Sequence, residues 1–336
     1  MKVPRQSRRG FLRTLAAAPA GMLALLKSKG AAAESAGKTP PSQANVVVAT
    51  RASAADSGAR PNASEVARLL SDSVAAAGAK ADARDTWRSL FDPSDIVGIK
   101  VNCLAGWGLS SHPELVAAIV EGLAGAGVPR KNIIVWDRAE HELAAAGFTA
   151  QSVNGARVLA TDSRGVGYER DIEFSGEVGS CFSRILSRMC TAVINVPVLK
   201  DHDLSGVSLG MKNFYGAIHN PNKYHDNNCD PYIADLNAHP FIAKKLRLVI
   251  CDGLKGQYHC GPASRPQWSW PAATLVVGAD AVAVDRIGLQ LIERKRREAG
   301  MSSLKEAGRE AVHIKTAAER GLGVGDLQEI SVETIF

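Results

Sequence analysis

Residues 191–235 read TAVINVPVLKDHDLSGVSLGMKNFYGAIHNPNKYHDNNCDPYIAD. The opening, Ala192 to Val198, is a compact run of mainly β-branched residues, the pattern of a strand covered on both faces in a parallel sheet. Regular apolar spacing then gives way to a polar run broken by glycine and proline. That run carries Lys200, Asp201, His202, Asp203, Lys212, Asn213, His219, His225 and Cys229 among other polar residues. So much ionisable chemistry beyond a strand end belongs to a site or to a solvated loop.

Working outward, further runs read as buried strands. Asp95–Asn102 is apolar on both faces until Lys100, Asn132–Trp136 runs into Asp137, and Leu246–Cys251 runs into Asp252. Asn45–Thr50 and Thr274–Val277 complete the set. Helices are expected between them. Asn62–Gly78 starts on an N-cap asparagine with Glu65 three residues on. Ser111 and Glu114 have the spacing of a cap for a helix ending near Gly125. A short helix spans Cys181–Met189, and a long amphipathic helix follows Asp280 to about Arg297. Strand, helix and strand with short connections make right-handed crossovers. The expected fold is therefore α/β, a mainly parallel twisted sheet with helices on both faces, Rossmann-like, in a single domain over 45–300. Residues 147–179, with short β-like runs and several glycines, read as a small antiparallel insertion, and 301–336 as a C-terminal helix and tail.

The formal charge of +6 on 336 residues invites a nucleic-acid or membrane partner. Its distribution removes that reading. Residues 1–33 hold seven basic residues and no acid, which leaves 33 basic against 34 acidic residues in the rest. Within this leader, Ser7-Arg8-Arg9-Gly10-Phe11-Leu12 matches the twin-arginine export pattern. A 13-residue apolar region, Thr14–Leu26, is too short to span a bilayer, and Ala31-Ala32-Ala33 offers a small-residue cleavage site. Cleavage after about Ala33, a linker over 34–44 and a periplasmic protein with no stable membrane insertion are expected, the twin-arginine machinery being one partner. Six cysteines form no C-x-x-C pair, so no iron–sulfur or zinc-ribbon motif is present. Cys103 and Cys251, at strand ends, read as core thiols, and a Cys229–Cys260 disulfide is open to an exported protein.

Residues at the carboxyl ends of the strands should converge, since open α/β sheets bind ligands there. His202, directly after the central strand and flanked by Asp201 and Asp203, is the first candidate acid–base group. Lys200 and Lys212 are candidate clamps for a carboxylate or phosphate, with Asp252 beside them. The Ser205–Asn213 backbone supplies glycine-spaced N–H groups that could cradle an anion. Lys100, costly at a strand end unless paired, calls for Asp137 or Asp252. Lys100, Asn102, Asn213, Asp137 and Asp285 are candidate ligand- or cofactor-binding residues, Asp285 being equally suited to capping the last long helix. His225, Cys229 and His219 are candidate metal ligands, although no regular zinc spacing joins them. Trp268, Trp270 and Tyr258 lie in a Pro/Gly-rich stretch that reads as an aromatic lid or as a packed loop.

Three segments, VGIKVNCLAGWGLSSHPELV (97–116), INVPVLKDHDLSGVSLGMKNFYG (194–216) and VVGADAVAVD (276–285), resemble the family called domain of unknown function 362, in its twin-arginine-exported branch. Many of its members carry a ferredoxin-like cysteine cluster that this chain lacks. The order of a strand, Lys-x-His and a glycine-spaced lysine is also similar to the nickel-pincer lactate racemase group. That resemblance implies a nucleotide-derived cofactor on a lysine, Lys212 here. Two functions are consistent with the residues. One is a periplasmic enzyme doing acid–base or metal- or cofactor-assisted work on a small anionic molecule. The other is a binding or cofactor-delivery protein using the same groups without turnover. A thiol redox protein cycling Cys229 and Cys260 is a third.

Overall fold

A computed structural model describes residues 43–336. The leader, its cleavage site and nearly all of the 34–44 linker lie outside these residues. The elements in chain order begin with β1 (Ala44–Thr50), α1 (Ala63–Ala77), α2 (Ala83–Leu90), β2 (Val97–Val101), α3 (Pro113–Ala126), β3 (Ile133–Asp137), α4 (Glu140–Ala145) and β4 (Arg157–Ala160). A hairpin, β5 (Glu173–Ser175) and β6 (Val178–Ser180), leads to β7 (Ala192–Val196), β8 (Val198–His202), β9 (Gly206–Val207) and the single turn α5 (Gly210–Asn213). Next come α6 (Tyr232–Ala238), α7 (Pro240–Ala243), β10 (Leu246–Gln257), β11 (Ser269–Trp270) and β12 (Thr274–Gly278). The chain closes with α8 (Ala281–Glu298), α9 (Val312–Glu319) and β13 (Ile330–Ile335).

The main sheet runs β13-β1-β12-β10-β7-β2-β3-β4. Along this path only β12 opposes its neighbours, so the sheet is mainly parallel, as the continuous apolar runs require. Successive strand residues point to opposite layers. Val97, Ile99, Ile133, Val135, Ile194, Ile250 and Val277 join the core under α1, α2 and α3. Ile134, Trp136, Val193, Val249, Cys251 and Val276 join the core under α6, α8 and α9. Helices therefore cover both faces. Where Gly98 faces Cys190, an added Cβ would come within 2.5 Å of the thiol, so this strand position can carry no side chain.

Several local expectations are corrected. The strand at 192–198 is interrupted at Pro197, which has no N–H for the ladder, and the chain resumes as β8 beside a β10 longer than expected. Arg157–Ala160 is the edge strand of the main sheet rather than part of an insertion; the antiparallel pair is confined to β5 and β6. Ser111 does not cap α3. Its hydroxyl accepts from Asn102 N and donates to Val196 O, tying β2 to β7. Of the two readings of the Tyr258–Trp270 stretch, the packed one is found: it is a hairpin of β10 and β11 with Tyr258 edge-on to Trp268 and Trp270.

Candidate active site

β3 and β4 follow β2 on one side, whereas β7 and β10 lie on its other side, so the strand order reverses between β2 and β7. At such a reversal the connections leave in opposite directions and open a crevice beyond the carboxyl ends. Here the crevice is a pocket of about 350 Å³. That is near the lower end of small-molecule sites, roughly 300–1,000 Å³. A larger groove of about 860 Å³ between α1, α2 and α3 is lined by Asp82, Arg84 and Glu121. These charges are exposed, and no buried ionisable group faces it.

Lys100, Asn102, Asp137, His202, Lys212, Asn213 and His225 all line the pocket. Lys100 is 1 % exposed and pairs with Asp137 at 2.8 Å; of the two partners expected from sequence, Asp137 is the one used. Asn213 locks the strands together. Its Oδ1 accepts from Asn102 Nδ2 at 3.0 Å and from Lys100 Nζ at 3.3 Å, while its Nδ2 donates to Asn195 Oδ1 at 2.7 Å. Lys200 lies beneath the floor, fully buried, donating to Asn102 Oδ1 at 2.8 Å. Burial pulls its pKa down to about 8.

Lys212 is 6 % exposed. Its ammonium sits 3.9 Å from the centre of the Tyr215 ring and 3.1 Å from His225 Nε2. Burial again brings the pKa down to about 8. His225 Nδ1 lies 3.1 Å from the carbonyl of Pro221 and must donate to it, which leaves Nε2 with its lone pair toward Lys212. Among the described residues neither Lys200 nor Lys212 has a carboxylate in ion-pair reach. The other pocket charges pair off, Lys100 with Asp137 and Arg138 with Glu142 at 3.4 Å, so the pocket keeps a surplus of positive charge.

His202 does not lean on its flanking aspartates. Both are drawn to Arg309, Asp201 at 3.0 Å and Asp203 at 3.1 Å. The imidazole Nδ1 instead accepts from the N–H groups of Leu204 and Ser205, leaving Nε2–H as the free edge. Burial, reinforced by the positive charge of Lys212, pushes its pKa down to about 2, so it stays neutral. His202 and His225 stack at 5.8 Å.

Other expected residues fall elsewhere. Asp252 is buried away from the pocket, accepting from His112 N at 2.7 Å and facing His112 Nδ1 at 2.9 Å. Asp285 accepts from Gly210 N at 2.6 Å and Met211 N at 2.9 Å. It thus occupies the backbone cradle that the glycine-spaced run seemed to offer a ligand, and burial raises its pKa to about 7. The metal expectation is also corrected. His219 is exposed and packs edge-on against Tyr168, Cys229 is a buried thiol held above its ordinary pKa by burial, and His225 faces Lys212. Among the described residues no group of three or more His, Cys, Asp or Glu is placed to hold a metal ion. All six cysteines are free thiols, Cys229 and Cys260 included.

Sequence reasoning missed Tyr215, Ser208, Arg138 and Glu142, all in the pocket wall. Tyr215 lies three residues after Lys212, and Arg138 directly follows Asp137, so both were within reach of local spacing. His313 was also missed. It is fully buried, with neither ring nitrogen hydrogen-bonded, and lies near enough to Lys212 for that charge to help burial lower its pKa to about 3. A lone histidine in a C-terminal helix leaves no sequence signal.

The model of the family described as domain of unknown function (DUF362) matches residues 97–290. The chain belongs to the DUF362 family. The matched DUF362 span takes in every pocket residue and the switch between β2 and β7. No curated protein matches the sequence at a significant level. Among solved structures, a Thermotoga maritima protein determined as a structural-genomics target is 11% identical over 72% of this chain, with a TM-score of 0.43. The matched region spans 60% of that protein's length.

Proposed function

We propose that this DUF362 chain is an exported periplasmic enzyme that performs acid–base chemistry on a small anionic substrate. The observation that carries the reading is Lys212, a buried ammonium with no carboxylate partner, set at the wall of a pocket against the lone pair of His225 Nε2. Burying an unpaired charge is costly, and an anionic ligand would offset that cost. In this reading Lys212 holds the anion, and Lys200, buried behind the floor, adds positive charge without touching it. His225 Nε2 takes a proton, and His202 Nε2–H donates a hydrogen bond to the substrate. Asn102, Asp137 and Asn213 position these groups. The donor set does not support a metal at His219, His225 and Cys229.

Calorimetric titration with a panel of small carboxylates and phosphates, followed by turnover assays on those that bind, tests the proposal. Binding should weaken at least roughly tenfold in Lys212→Met, the loss of a charge-assisted contact. No binding of any anion would sink the reading, and tight binding without turnover would leave a carrier in its place. Export rests on the leader sequence, so Arg8→Lys with Arg9→Lys should hold the protein in the cytoplasm.

A further inference from the structure

We infer that Lys212 is a Schiff-base lysine whose ε-amine condenses with the carbonyl carbon of a small α-oxo acid held in the pocket. The inference rests on the anion-binding enzyme reading and deepens it by naming the substrate class. Three buried lysines surround the crevice, and geometry separates them. Lys100 is held as a cation by Asp137 at 2.8 Å. Lys200 has no exposure and lies under Asn102, out of contact with the pocket. Lys212 alone of the three both lines the pocket and lacks a carboxylate. A nucleophilic amine needs a proton acceptor, and His225 Nε2 stands 3.1 Å from Nζ with its other nitrogen committed to Pro221 O.

The step balances without any redox partner. Lys212 loses its ammonium proton to His225 Nε2, and the Nζ lone pair adds to the carbonyl carbon as the carbonyl π electrons move onto oxygen, which takes one of the two remaining N–H protons to become a hydroxyl. Proton return from His225 lets that hydroxyl leave as water while the C=N bond forms. The protonated imine keeps one positive charge beside the substrate carboxylate, so the charge balance of the pocket is unchanged. His202 Nε2–H, whose Nδ1 is occupied by two backbone N–H groups, supplies a neutral donor for the departing oxygen. The groups facing Lys212 are His225, His202, Tyr215, Cys229 and His313. None is a carboxylate, and burial brings the amine to about 8, so a usable fraction is free base near neutrality.

The test is reductive trapping of the full chain with pyruvate and sodium cyanoborohydride, read by peptide mass spectrometry. The expected result is an adduct on the Lys212 peptide exceeding those on Lys305 and Lys315 by roughly tenfold or more, with trapping absent for lactate, which has no carbonyl. Lys305 and Lys315 are 75% and 78% exposed and report ordinary lysine reactivity. Lys212→Arg should abolish the preferential adduct. Mapping the wild-type chain decides the matter even if that variant fails to fold. Labelling of Lys212 no greater than of the two exposed lysines would overturn the inference. Lactate or pyruvate binding by calorimetry with no preferential adduct would overturn the imine and leave the anion site standing. Neither binding nor adduct would remove both.

Discussion

Lys200 Nζ donates to Asn102 Oδ1 at 2.8 Å, and this neutral amide takes the place that a carboxylate would normally hold beside a fully buried ammonium. The folded-state pKa of about 8 lies below the ordinary 10.5. Below about pH 8 the lysine is charged in both folded and unfolded chains, and the whole desolvation cost is present. Between about 8 and 10.5 the folded chain holds fewer protons than the unfolded one, so stability rises with pH. Lys200→Met removes that cost and leaves the Asn102 oxygen without a donor, a loss of about 1–3 kcal/mol. The variant's stability relative to wild type should therefore fall steadily as pH rises from 8 to 10.5. Urea unfolding across that range measures it, and a flat difference would contradict the assignment.

The buried histidines act at the other end of the pH scale. His202 and His313 have folded-state pKa values near 2 and near 3, against an ordinary 6.5. Below about 6.5 the unfolded chain takes up protons that the folded chain refuses, so stability falls as pH falls, by about 1.4 kcal/mol per pH unit for each histidine. His313→Leu should remove one such contribution. It should also raise Tm at pH 7, because neither His313 nitrogen has a partner to lose. Thermal unfolding at pH 7 and pH 5 reads both effects.

Asn213 is expected to be the least replaceable neutral residue of the site. Asn213→Asp keeps the acceptors for Lys100 and Asn102 but loses the donor to Asn195 Oδ1 and sets two oxygens against each other. A cost of about 2–4 kcal/mol is expected from the buried unsatisfied groups. Asn213→Ala should cost a similar amount and free the Lys100 side chain, visible as a weakened anion affinity.

Gly216 closes the pocket wall against the ion pair. A Cβ at this position would fall 2.8 Å from Asp137 Oδ1 and 2.9 Å from Lys100 Nζ. Gly216→Ala should therefore splay the pair and lower anion binding, at a stability cost of about 1–3 kcal/mol. Unchanged binding and stability would mean that the loop yields more easily than its packing implies.

The layered sheet was legible because long β-branched runs such as Ile133–Asp137 and Ala192–Val196 have no polar face, which only a doubly covered strand tolerates. The polar strand ends located the crevice for the same reason: Lys100 and Asp137 sit where burial demands a partner. What sequence could not convey was which partner each group takes. Asp201 and Asp203 flank His202 in the chain, but alternate residues of an extended segment point away from it, and Arg309, more than a hundred residues later, claims both. Asp285 looked like a ligand contact because the carboxylate's true partners are backbone N–H groups, which no side-chain pattern reveals. His219, His225 and Cys229 were candidate ligands by residue type within one polar loop, without a regular metal-site spacing. The 3₁₀ turns at Pro221–Tyr224 and Asn227–Cys229 instead turn His225 and Cys229 toward Lys212, while His219 packs apart from them against Tyr168.

The carboxyl group of Asp285 gives the loop before Lys212 a resident hydrogen-bond acceptor of its own. A segment already closed around an internal acceptor has little left to order when a guest arrives. Association at this site should then be governed by diffusion and charge steering rather than by loop rearrangement. Its heat capacity change should be small, in keeping with a cavity that is complete before it is filled.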